Sequence, residues 1–194
     1  MHITLRRISS LPSFRQQRVG TLLLRLLHRL NDARFQIVHF SIQNNHIHLI
    51  VEAEDRATIT RKMSGLMISF AKRLNSQVLG NRRGKVWSDR YYRRDIETSS
   101  DMHNVLRYVF GNAKKHGLIP QDANVIDVYS SAWTFDGWIE PIPRITGVDH
   151  WPRPIARTDL LRRDWITCGL LSVRAPVGVS SLLSASGGSS SRRP

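Results

Sequence analysis

Two apolar runs, Phe35–Ile42 and His46–Ala53, stand on either side of Asn44-Asn45, and this pairing constrains the fold more than any other feature of the chain. Asparagines tolerate the backbone of a tight turn. Short β-rich runs on either side of such a turn form a hairpin. Before the hairpin, Leu23, Leu26, Leu27 and Leu30 recur at helical steps and predict a helix over 13–31. After it, Ile59, Met63, Leu66, Met67, Phe70, Leu74 and Val78 form one apolar stripe, with Gly80 as its stop. Ile3 and Leu5 alternate with polar neighbours in a first strand over 1–7, and 85–97 is expected to be a fourth strand. A last helix is expected from a Ser99 or Ser100 cap, with Asp101 in its first turn and Gly117 closing it. The order β-α-β-β-α-β-α predicts an α+β fold. Its core is a ferredoxin-like antiparallel sheet (βαββαβ) with helices on one face, followed by an added helix that carries Tyr108.

The remainder divides by composition. Residues 120–178 are rich in proline and hold four of the five tryptophans, so they are expected to pack on the core as an extension, with a helix over 155–171. Residues 179–194 are rich in serine and glycine and are expected to be a disordered tail. Residues 1–119 then form the main domain.

Charge narrows the function. The formal net charge is +14, which disfavours a compact chain unless a polyanion neutralises it. Nucleic acid is the expected partner. The lone Cys168 excludes an intrachain disulfide and a cysteine metal cluster. The leucine-rich stretch 22–30 is interrupted by Arg25, His28 and Arg29 and is too short to span a bilayer. No membrane association is expected, and a reducing, cytoplasmic setting fits. Between Arg61 and Arg94 there are ten basic residues against one acid, Asp89, with Trp87, Tyr91 and Tyr92 interleaved. Cations with stacking rings suit single-stranded nucleic acid. Arg82, Arg83, Lys85, Trp87, Arg90, Arg93 and Arg94 are the candidate contacts; a solvated helix face explains the more N-terminal charges equally well.

Two constellations carry chemistry. Side chains alternate along a strand, so His46 and His48 share one face while Ile47, Leu49 and Val51 share the other. Two imidazoles so placed can hold one ion and leave positions open for a phosphate oxygen and water. A strand with a solvent face that tolerates histidine gives the same pattern. Imidazole suits zinc, copper or iron, so chemistry alone leaves the metal open. On the last helix, Met102, Val105, Leu106, Val109 and Ala113 form the buried stripe, and Tyr108, Asn112 and Lys115 cluster on its flank. An activated phenol is a competent nucleophile. A tyrosine that packs its ring and wets its hydroxyl occupies a flank in the same way.

Taken in order, His46-Ile47-His48 after Asn44-Asn45, Gly84 to Tyr92, and Tyr108 to Gly117 resemble the motifs of the REP-associated tyrosine transposases. These are relatives of the insertion-sequence-200-like single-tyrosine HUH transposases. The likeness covers about residues 2–119. It implies that Tyr108 attacks single-stranded or hairpin DNA and leaves a 5′-phosphotyrosine. It implies a divalent metal, Mg2+ or Mn2+, held by His46, His48 and Asn112, with no small-molecule cofactor. Lys115 joins the DNA contacts. A bacterial, cytoplasmic monomer or homodimer is expected. Ala113 stands where the family's usual proline follows the amide, and the chain begins directly at the first strand, where relatives often carry a leader rich in glycine and arginine. Competing readings are a DNA-binding protein of this fold without catalysis, a metal-dependent phosphodiesterase using water, and an RNA-binding module.

Overall fold

The computed structural model describes residues 1–121, 124–142 and 154–175. The expected tail at 179–194 lies outside them. Four strands, β1 (His2–Arg6), β2 (Phe35–Ile42), β3 (His46–Ala53) and β4 (Tyr92–Arg94), form one antiparallel sheet in the order β2-β3-β1-β4. The hairpin turns as expected: Gln43 N–H donates to the His46 carbonyl at 2.8 Å, with Asn44 and Asn45 between them.

Helices α1 (Gln17–Leu30) and α2 (Arg56–Arg73) cover one face of the sheet. They bury Leu23, Leu27, Ile59, Met63 and Phe70 against Ile3, Leu5, Ile47, Leu49 and Val51. α1 starts later than residue 13, because residues 13–16 form a turn tied to the hairpin: Ser13 Oγ donates to Asn44 Oδ1 at 2.9 Å, and Phe14 N–H donates to the Asn44 carbonyl at 2.9 Å. Asp55 caps α2 by accepting from Thr58 N–H at 2.6 Å, and a single π-turn, Leu74–Val78, follows that helix.

α3 (Ser99–Lys115) lies on the opposite face with the C-terminal segments, packing Met102, Val105, Leu106 and Val109 near Ile50 and Val38. Its cap is Thr98, not Ser99 or Ser100: the Thr98 hydroxyl accepts from Asp101 N–H at 3.1 Å. Gly117, at φ 65°, takes the left-handed turn that closes it, and Leu118 N–H donates to the Ala113 carbonyl at 2.8 Å.

The expected strand over 85–97 is corrected to two short pairings with β1. Trp87 bridges Arg7, and Tyr92 pairs with Thr4. Between these points the outer segment carries two more residues than β1, and the excess bends out at Ser88, Asp89 and Arg90. Val86 and Trp87 are both buried, which an alternating strand over one covered face does not allow. The helix expected over 155–171 is also corrected. It is one turn, α4 (Asp159–Arg162), followed by a 3-10 turn, Asp164–Cys168.

The described C-terminal residues close the edge strand β2. Ile42 N–H donates to the Tyr129 carbonyl at 2.8 Å, and Phe40 N–H to Ser131 Oγ at 2.9 Å. Backbone groups that would otherwise offer a pairing edge are thereby satisfied. Arg15 grips the buried Asp127 with two bonds of 2.8 Å, and Glu52 accepts from Arg157 N–H at 2.7 Å and Thr158 N–H at 2.9 Å. Phe110, Phe135, Trp138 and Trp165 form one aromatic cluster behind α3.

Candidate active site

The site is built where α3 crosses the polar rows of the sheet. Residues opposite one another in antiparallel strands share a face. Thr4 pairs with both His48 and Tyr92, His2 with both Ile50 and Arg94, and Arg6 with His46. The face opposite Ile3 and Leu5 therefore carries His2, Thr4, Arg6, His46 and His48.

α3 lies over this face, so the pair does not face open solvent: His46 is 5% exposed and His48 3%. Asn112 is fully buried, and its Nδ2 lies 3.2 Å from His48 Nε2. The Tyr108 ring stands edge-on to His48 with centroids 5.2 Å apart, and the Lys115 ammonium lies 5.3 Å from the Tyr108 ring centroid. Tyr108, Asn112, His46, His48 and Lys115 thus come together.

The polar partners orient the rings. His46 Nδ1 lies 2.7 Å from Asn45 Oδ1. With an amide oxygen as partner it is the donor, which leaves the lone pair on His46 Nε2. Burial holds His46 at a pKa of about 4, helped by nearby His116 and Arg6. His48 is pushed well below the usual imidazole value, first by burial and then by the surrounding rings. Neutral imidazole is the form that binds a cation.

The donors that a divalent ion could use here are few. Among the described residues no three His, Cys, Asp or Glu side chains converge as a metal set. The available donors are two neutral imidazoles and one amide. Asn112 Oδ1 is buried without a hydrogen-bond partner, which is costly unless something is bound there.

Two members of the site were not expected. His2 is buried, with Nε2 3.0 Å from His48 Nδ1, and burial lowers its pKa to about 4. His116 lies with its ring centroid 5.4 Å from that of His46. The parity of β1 was the available signal for His2. In the order β2-β3-β1-β4, every β1 residue out of phase with Ile3 and Leu5 lies beside His48 or a row next to it.

The basic candidates separate. Arg83, Lys85 and Arg90 are exposed. Arg82 structures its own loop, donating to Asn75 Oδ1 and the Lys85 carbonyl at 3.2 Å each. Arg94 donates to Asp101 at 2.5 Å, and Arg93 faces Asp95 at 3.8 Å. Trp87 is corrected from a stacking surface to a core ring. It is 8% exposed, packs on Phe14 and Phe70, and donates from Nε1 to the Met67 carbonyl at 2.9 Å. Tyr92, in contrast, is 65% exposed, on the face and row of Thr4 and His48.

The α+β fold of this sheet and its helices has counterparts among known proteins. Residues 1–112 match the family described as IS200-like transposases, and the chain belongs to that family. A solved structure described as a REP-associated tyrosine transposase bound to a REP hairpin is similar in fold, with a TM-score of 0.51 and 16% identity, over 77% of this chain and 90% of that one. No curated protein matches. Among the described residues no helix is long and apolar enough to cross a membrane.

Proposed function

We propose that this transposase cuts and rejoins single-stranded or hairpin DNA through a covalent bond to Tyr108. The phenolic oxygen attacks a backbone phosphorus. An O–P bond to tyrosine forms, the P–O3′ bond breaks, and the 3′ oxygen leaves and takes up a proton. Rejoining reverses this: a 3′-hydroxyl attacks the phosphotyrosine and frees the phenol. One phosphodiester is exchanged for another, so the chain needs no nucleotide cofactor.

The observation that carries this reading is the convergence of Tyr108 with His46, His48 and Asn112 from elements far apart in sequence. His46, His48 and Asn112 would hold a divalent cation, Mg2+ or Mn2+. Such an ion, when bound, polarises the phosphoryl oxygen and offsets its developing charge. The chain's own contribution is positional. α3 fixes the Tyr108 ring, Lys115 places a positive charge beside it, and Arg6 sets another at the edge of the same face. Arg83, Lys85 and Arg90 take the phosphates of the flanking strand. Tyr92 supplies the ring on which a base stacks. The hairpin held by the structural relative is the substrate class we assign here.

Tyr108→Phe tests the reading against a protein that binds DNA without cutting it. The variant keeps the packing and loses one oxygen. It is expected to bind a single-stranded oligonucleotide within a few-fold of the parent and to form no adduct that survives denaturant. Cleavage by the parent with no adduct would instead favour a water-using phosphodiesterase.

A further inference from the structure

His48 has two ring nitrogens and both are engaged. Nε2 faces Asn112 at 3.2 Å, and Nδ1 faces His2 Nε2 at 3.0 Å and Thr4 Oγ1 at 3.1 Å. A neutral imidazole carries one proton. If Nε2 is to offer a lone pair to a cation, the proton must be on Nδ1, and something buried must accept it. Thr4 does not select between the two forms, because a hydroxyl donates as readily as it accepts. The His2 and His48 ring planes lie within 29° of each other with centroids 5.1 Å apart, as two imidazoles joined nitrogen to nitrogen do, and the His2 ring lies 6.1 Å, centroid to centroid, from that of Tyr108. Asn112 completes the chain: with its Nδ2 toward His48, it requires an unprotonated Nε2, hence a protonated Nδ1, hence an accepting Nε2 on His2.

The geometry points to His2 as a positioning residue that accepts the His48 Nδ1–H and so keeps the His48 Nε2 lone pair turned toward the cation site. This rests on the metal-site reading above. In this role His2 need touch neither the cation nor the DNA. Its effect runs through the tautomer and the tilt of one ring, as the outer partners of metal-bound histidines act elsewhere. Binding of a cation would leave the His2–His48 bond in place while the Asn112 amide turns its unpartnered oxygen inward.

The full chain, labelled with 15N-histidine and free of metal, tests this by long-range proton–nitrogen NMR. His48 is expected to carry its proton on Nδ1. His2→Phe keeps the volume and removes the acceptor. It is expected to lose that single-tautomer signature and to weaken Mn2+ binding about 10–100-fold, read by calorimetry or electron paramagnetic resonance. His2→Gln puts an oxygen near the place of Nε2 and is expected to recover most of the affinity; it also serves if the phenylalanine variant does not fold. A His48 protonated on Nε2, or a folded His2→Phe chain with the tautomer and Mn2+ affinity of the parent, overturns the role of His2. A parent chain that binds no Mn2+ while His48 is protonated on Nδ1 overturns the metal-site reading instead.

Discussion

Trp87→Ala removes a ring packed on Phe14 and Phe70 together with the donor to the Met67 carbonyl. It is expected to cost about 3–5 kcal/mol of stability, seen as a lowered thermal midpoint. Once the variant is held below its midpoint, its affinity for DNA should match that of the parent. Tyr92→Ala should behave in the opposite way. Its ring is exposed on the site face, so stability should hold while affinity for a single-stranded oligonucleotide falls by about 1–3 kcal/mol with the salt dependence unchanged. A Tyr92 variant that loses stability and keeps affinity would remove the stacking role. These two rings were not separable from composition, since both lie among cations. Burial of adjacent Val86 and Trp87 was the feature that an alternating pattern concealed.

At the scale of elements, α3 and the hairpin were readable because each carries its own periodicity. The stripe from Met102 to Ala113 leaves Tyr108 on the helix flank, and parity along β3 sets both histidines on one face. Asn112, with Ala113 beside it, extends that buried stripe into the site. What the pattern did not contain was coverage. His46 and His48 look like surface residues until α3 is laid over them, and which face α3 takes depends on contacts made far along the chain. The C-terminal segment was the least legible part, because its order comes from single anchors such as Asp127, Ser131 and Glu52, not from a repeat. Gly137 tests its packing. A β-carbon there would lie 2.1 Å from the Trp165 ring and 2.6 Å from that of Phe135. Gly137→Ala is therefore expected to destabilise the protein by about 1–3 kcal/mol. An unchanged melting curve would mean that this aromatic cluster does not carry the docking of the extension.

For the molecule as a whole, protons act through the buried histidines and salt through the exposed cations. In the metal-free chain His2 and His46 have folded values of about 4 against an ordinary 6.5. As pH falls below about 6.5 the unfolded chain takes up these protons first. Stability is therefore full above that point, declines toward pH 4 by about 1.4 kcal/mol per pH unit for each such ring, and levels off below. A melting midpoint flat from pH 7 to pH 4 would contradict the burial of the cluster. The net charge of +14 predicts steep salt dependence. If Arg83, Lys85, Arg90 and Lys115 each neutralise a phosphate, the slope of log affinity against log salt is about −3, and each Arg→Ala change reduces it by about 0.7. Slopes near zero would move the DNA path elsewhere. The central claim is that one phenol carries the DNA strand between cleavage and rejoining. Its most direct measurement is a digest of the protein trapped on a single-stranded oligonucleotide with Mn2+, with the nucleotide-bearing peptide sequenced by mass spectrometry. The nucleotide is expected on Tyr108. Its appearance on Tyr91 or Tyr92, or cleaved DNA with no modified peptide, would contradict the account.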